Sequence, residues 1–220
     1  EKIPQLPTTA AAALGNSMIY ALIATAIALC LGVVSAITIV ARRDTMGRFF
    51  DLAATLPLGV SAVTVGFGIL ISLNRSPVDW RTSWWIVPIA HAIVAVPFVV
   101  RSIVPMLRQI DPAIREAASL LGSSPLQIRR QIDLPLVARG ITVAAGFAFA
   151  ISLGEFGATS FLPRRADTLT GPQAVFRLLS TPGDLLRGQA MALSVVLAGA
   201  VAAAVICSEL LSSDKKRRRG

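Results

Sequence analysis

Charge is scarce in this sequence, and so is most of the side-chain chemistry that enzymes use. Charged residues fill 15% of the 220 positions, with one histidine (His91), two cysteines (Cys30 and Cys207) and only three lysines (Lys2, Lys215 and Lys216). Each scarcity removes a class of function. Both cysteines lie inside apolar runs, which gives neither a disulfide framework nor metal-ligand spacing, and they are expected to be small core residues. No lysine follows a glycine, so a phosphate-cradling G-x-x-x-x-G-K-[ST] loop is missing and the chain cannot be an ATP-hydrolysing motor of that kind. His, Asp, Glu and Cys are nowhere clustered at catalytic spacing, which argues against an integral-membrane enzyme. No metal and no cofactor are expected. At the front of the chain Lys2 is the only positive charge, so the basic region of a signal peptide is missing too.

What the sequence has in abundance is apolar length. Hydrophobic residues reach 54% and mean hydropathy is +0.69, values that place the chain in the membrane class. A bilayer crossing needs about 20 apolar residues, and five stretches supply that. They are the core of the uncharged run Ile3 to Ala41 (densest from Leu14 to Val40), Leu52 to Asn74, Thr82 to Val100, Gly140 to Pro163, and Gly188 to Ser208. Pro57, Gly59, Gly66 and Gly68 predict a kink and a close helix contact in the second stretch. Trp84 and Trp85 open the third where a membrane interface would lie. The expected fold is therefore all-α and integral to the membrane, with five transmembrane helices and one polar insert. The expected domains are an external segment at 1–10, a transmembrane domain at 11–211 and a basic tail at 212–220.

The net charge of +9 does not indicate a nucleic-acid partner, because the basic residues fall between and after the apolar runs. If the insert from Arg101 to Arg139 is cytoplasmic, its side collects fourteen basic residues against seven on the other. Positive-inside bias then puts the N-terminus outside and the insert and C-terminus in the cytoplasm.

The insert itself carries two helix starts. Asp111 followed by Pro112 is a cap-then-proline signal, Gly122 can end that helix in a left-handed conformation, and Ser124-Pro125 repeats the start. Leu134-Pro135 is read as stopping the second helix. Within this insert stand Glu116, Ala117, Ala118, then Gly122, and after nine further residues Ile132, Leu134 and Pro135. This pattern resembles the EAA signature of ABC-transporter permeases, the inner-membrane components of binding-protein-dependent uptake systems. The resemblance implies that those seven residues form cytoplasmic coupling helices, at about 111–134, seated on a separate ATPase subunit. It further implies an extracytoplasmic substrate-binding protein, a second permease half or subunit, and a cell-membrane location. Because the chain starts abruptly ahead of the first core helix, it is similar to the C-terminal half of a tandem permease.

Two further positions draw notice. Glu155 is the only carboxylate well inside a span, where an acid costs about 2.5–3.5 kcal/mol on insertion scales and so marks a functional candidate facing the bundle. Its surroundings, Ser152 to Thr159, resemble a stretch shared by permeases for ferric iron, thiamine, molybdate and sulfate. On that basis Glu155, Phe156 and Gly157 are candidates for the pathway or its gate. Ferric iron and then thiamine are the first substrate expectations, with molybdate, sulfate or another small solute as the alternative. His91, between Pro88 and Pro97, reads as a hydrogen-bonded core histidine. The segment from Gln173 to Leu179 in the last outer loop has a helical pattern and resembles the external re-entrant segment of related permeases. An ion-coupled secondary transporter is the rival class, and it would call for more intramembrane acids than Glu155 alone.

Overall fold

The computed structural model describes residues 10–42, 44–75, 78–79, 83–162 and 168–217. The expected external segment up to residue 9, several basic residues of the charge count (Lys2, Arg43, Arg81, Arg164 and Arg165) and the last three residues of the tail lie outside the described residues.

The first span is helix α1 (Ala10–Ala41), whose buried side is a stripe of small residues: Ser17, Ala21, Ala24, Ala28, Gly32 and Ala36. Spaced three to four apart, they share one helix face and let neighbouring backbones approach, as small residues do where no aqueous driving force exists between helices. α4 (Ile86–Arg108) uses that approach: a Cβ at Gly32 would collide with the Val99 side chain. The main core joins α1 and α4 to α7 (Leu134–Gly154) through residues such as Ala28, Ala95, Val99, Ile103, Val137 and Ala144. α10 (Asp184–Arg217) lies along α7, and a side chain at Gly146 would meet Ser208. His91 sits in the core, hydrogen-bonded through Nδ1 to Ser152 Oγ at 2.7 Å, which bolts α4 to α7 as expected of a structural histidine.

Among the described residues, four stretches are long and apolar enough to cross a membrane: Ala10–Ala41, Ile86–Arg108, Pro125–Ser160 and Asp184–Ser212. The fifth differs from the single span expected at Leu52 to Asn74. There α2 (Thr45–Thr55) and a 3-10 turn (Leu56–Gly59) meet α3 (Ala62–Ser72) at a bend of 104°. Proline and glycine in the turn allow the break. What holds it is Ser61, whose hydroxyl caps the new helix at Val63 N (3.3 Å), together with the seating of α3 on a later element. A two-residue antiparallel hairpin, Asn74–Arg75 with Val78–Asp79, leads from α3 towards α4.

The structure also corrects the reading of the cysteines. Cys30 and Cys207 are both exposed on the outer faces of α1 and α10. In a membrane protein the apolar environment outside the bundle accepts a thiol as readily as the core does, so an apolar setting in sequence does not imply burial.

α3 has one buried residue, Gly66, and its Cα rests against the backbone of Ala158. Nearby, a Cβ built on Gly157 would lie 3.2 Å from that of Ala62. Gly66→Leu is expected to push α3 off this seat at about 1–3 kcal/mol of overpacking strain. The check is an Ala62→Cys, Gly157→Cys pair, which should oxidise to a disulfide in an otherwise native chain and largely lose that ability once Gly66→Leu is added.

Candidate functional site

The polar insert folds as a corner. Asp111 caps α5 (Pro112–Leu120) by accepting from Ala113 N at 2.9 Å. The helix ends in a Schellman turn: Ser123 N donates to Ala118 O and Gly122 N to Ser119 O, both at 3.0 Å, with Gly122 at φ +87°. A complete capping box then opens α6 (Pro125–Ile128), with Gln127 N donating to Ser124 Oγ (3.3 Å) and Ser124 N to Gln127 Oε1 (2.7 Å).

From Pro125 onward the helix does not stop. α6 passes into a π-helical segment (Arg129–Asp133) and then directly into α7, so the expected break at Leu134-Pro135 is overturned. The reason lies in the hydrogen bonds. Proline in a helix lacks a donor and its ring crowds the carbonyl four residues back. Here Leu134 N bonds Arg129 O, five residues back, and the wider π turn relieves the crowding just where Pro135 enters. The second helix of the insert is therefore the extension of a span, and Ile132, Leu134 and Pro135 are half-buried parts of that rod.

One ion pair sets the angle of the corner. Arg115 Nε donates to Asp133 Oδ1 at 2.8 Å while Nη2 reaches Leu107 O at 3.2 Å, so a single guanidinium joins α5, the π segment and the end of α4. Glu116, Ala117 and Gly122 then face outward and Ala118 is half-buried. With them stand three leucines that the motif alone did not single out, Leu120 (88% exposed), Leu121 (87%) and Leu126 (73%). The Leu-Leu doublet at the end of a polar helix was the available signal. Three large apolar side chains standing free on a polar corner constitute a surface built to be covered.

At the other end of the rod, Glu155 is not inside a continuous helix as expected. It is the residue at which α7 ends, in extended backbone (φ −71°, ψ 120°), and its carboxylate accepts from Ala158 N at 2.8 Å to start the single turn α8 (Gly157–Ser160). The acid thus satisfies a backbone donor that the break exposes. Gly157 is half-buried against Ala62 and Val63 of α3. Phe156 stacks on Phe176 of α9 (Gly171–Ser180), ring centroids 5.2 Å apart, and both line an open pocket of about 450 Å³ with Ser160, Gln173 and Arg177. α9 is the helix expected in the last outer loop. It is anchored by Gln173 Nε2 to Thr159 O (2.8 Å) and by Gly171 N to Ser17 Oγ (2.8 Å). The structure therefore brings Glu155, Phe156 and Gly157 together at one break and keeps them a full helix length from the seven motif residues. Among the described residues no group of three or more His, Cys, Asp or Glu side chains could hold a metal.

Comparison with known proteins gives consistent results. The family described as "Binding-protein-dependent transport system inner membrane component" matches residues 28–212. The chain is 33% identical over 185 residues to the molybdenum transport system permease protein ModB of Escherichia coli (strain K12), covering 77% of this chain and 79% of ModB. It is 31% identical over 150 residues to the putative 2-aminoethylphosphonate transport system permease protein PhnV of Salmonella typhimurium, covering 68% of this chain and 56% of PhnV. Among solved structures, a chain of the inward-facing MetNI methionine ABC transporter superposes with a TM-score of 0.77 at 14% identity, covering 92% of this chain and 94% of that one. At that identity the likeness is one of fold.

Two outcomes follow from the geometry. Arg115→Met strands the Asp133 carboxylate and should cost roughly 1–3 kcal/mol, as for a buried polar group left unpaired. The loss should fall short of the 3–5 kcal/mol of a fully buried pair, because the Arg115 side chain is 27% exposed. Thermal unfolding in detergent should show the loss, and Arg115→Met with Asp133→Leu should regain most of it. At the break, Glu155→Ala should cost about 1 kcal/mol through loss of the cap, whereas Glu155→Gln keeps an acceptor oxygen and should unfold near the native temperature.

Proposed function

The chain belongs to the family of binding-protein-dependent transport system inner membrane components, and on that premise we propose that it is the permease of an ATP-driven importer of a small oxyanion. Family membership and the apolar helices make it a multi-pass membrane transport component. The observation that carries the mechanism is the rigid connection between an uncovered corner and a broken helix. A separate ATPase subunit covers Glu116, Ala117, Leu120, Leu121 and Leu126. α5 is clamped to the rod by Arg115, and the rod from Pro125 to Gly154 is roughly 45 Å long at 1.5 Å per residue. Movement of the ATPase pair therefore reaches Glu155, Phe156 and Gly157 as a tilt of one stiff element, exchanging two states of the pathway.

Several parts of this reading rest on the sequence and the relatives together. The bias of basic residues supports a cytoplasmic insert and C-terminus and an external N-terminus. A substrate-binding protein delivers solute from outside, near α9. The pathway is completed by a second permease copy or half, and α10, apolar and exposed at Met191, Val195, Val196 and Ile206, has surface for that partner or for lipid. ModB and PhnV are described as molybdenum and 2-aminoethylphosphonate transport permeases, which favours the oxyanion alternative over ferric iron or thiamine. Arg177 beside the Phe156 pocket supplies charge of the right sign.

The test is at the corner. Nothing lies within 4 Å of a Cβ on Gly122, so the effect of Gly122→Val is confined to its φ of +87° and should cost about 1–2 kcal/mol in the turn alone. Complexes carrying Gly122→Val or Glu116→Lys should insert normally yet lose the ATPase subunit, or hydrolyse ATP uncoupled from uptake. Ala118→Cys should cross-link to the ATPase, and uptake should be competed by molybdate or sulfate but not by ferric citrate or thiamine. Normal transport by both variants with no cross-link would sink the coupling assignment; competition by iron or thiamine would sink the oxyanion reading alone.

A further inference from the structure

A second concentration of charge lies away from both the coupling corner's outer surface and the Glu155 break. Where α1 ends, α2 begins and α4 hands over to α5, an open pocket of about 480 Å³ is lined by Arg42, Arg48, Arg108 and Arg115, with Asp44 and Asp51 as its acidic residues. With Arg115 neutralised by Asp133, three guanidiniums against two carboxylates leave the site with one positive charge in excess. One of the two carboxylates is also partly committed. Asp44 caps α2 through Gly47 N at 3.1 Å and stands 4.0 Å from Arg42, while Arg115 is held by Asp133 and Leu107 O. Among the described residues no carboxylate lies within ion-pair distance of Arg48 or Arg108, although they approach one cavity from different helices. Like charges gathered in this way repel unless an anion sits among them.

We propose that this pocket is a binding site for a phosphate-type oxyanion, held by Arg48 and Arg108 with support from Arg42. Planar guanidiniums match such an anion with paired N–H donors, and the site can take it as the headgroup of an anionic phospholipid or as free phosphate. The surroundings accommodate a headgroup: α2 carries Arg48 into the pocket while Met46, Phe49 and Leu52 of the same helix stand exposed, as on a helix lying in a membrane interface. Basic pockets between helices near a membrane surface bind anionic headgroups in this manner. A bound anion would tie α2 to the α4–α5 corner, bridging elements that otherwise meet through few side chains.

The full-length protein is tested in nanodiscs of phosphatidylcholine with and without phosphatidylglycerol, and the lipids retained per chain are counted by native mass spectrometry. Native protein should retain phosphatidylglycerol in preference to phosphatidylcholine. Arg48→Gln with Arg108→Gln should cut that retention roughly tenfold or more, from the loss of two basic groups at the surface, and the double Lys variant should recover part of it. A lipid source is indicated if millimolar inorganic phosphate fails to displace the retained lipid. A free-anion source is indicated if phosphate raises the unfolding temperature of the native protein in pure phosphatidylcholine but not that of the Gln variant. Equal retention of the two lipids by native protein, together with no stabilisation by phosphate, overturns the proposal whether or not the variants fold.

Discussion

A backbone amide or carbonyl that leaves a helix inside a hydrocarbon layer has no water to bond, and the architecture here follows from that constraint. Helices can cross freely, but each place where one breaks must bring its own partners. The bend between α2 and α3 is closed by the Ser61 hydroxyl, and the end of α7 by the Glu155 carboxylate on Ala158 N. These two repaired breaks touch, through Gly66 on the Ala158 backbone and Gly157 on Ala62 and Val63. The least regular backbone in the membrane-facing part of the molecule is thus gathered at one locus and sealed against itself. The ordinary helices α1, α4 and α7 close over the small-residue stripe beside it.

The polar corner answers the same constraint from the aqueous side. Its helix ends use the full set of water-compatible devices: an Asx cap, a Schellman turn and a capping box. Arg115 converts this local order into a fixed angle, because one guanidinium holds three elements at once. Without it α5 would hang from Ile110 and Gly122 as a hinged flap. With it, whatever covers the exposed leucines grips the same solid body that ends at Glu155.

Much of this was legible in the residues. Local signals whose partners lie within a few positions match the helices found: Asp111-Pro112, Gly122, Ser124-Pro125 and the segment Gln173 to Leu179. Expectation and structure part where a hydrogen bond or a packing contact that residue type does not announce decides the outcome. Leu134-Pro135 looks like a stop because proline normally is one, and only the i to i−5 bond from Leu134 to Arg129 shows why it is not. Glu155 looks like a buried charge in a continuous span because apolar neighbours hide a break that its own carboxylate repairs. Pro57 and Gly59 announce a kink, but its 104° is set by where α3 seats on α8. Cys30 and Cys207 look like core residues because their neighbours are apolar, yet both stand exposed, since both sides of a membrane helix can be apolar.

The π segment has one more implication. A π turn is an α-helix carrying a single surplus residue, and one residue corresponds to about 100° of rotation around the axis. Between Arg129 and Asp133 the rod therefore changes phase, so that Leu126 and Gln127 point roughly a quarter of a turn away from where a plain helix anchored at Val137 and Gly140 would aim them. The compass bearing of the outer corner is thus written in a count of residues. Removing or adding one there would set the phase of the rod against the Arg115 clamp, so the helix register and the ion pair fix the same bearing twice.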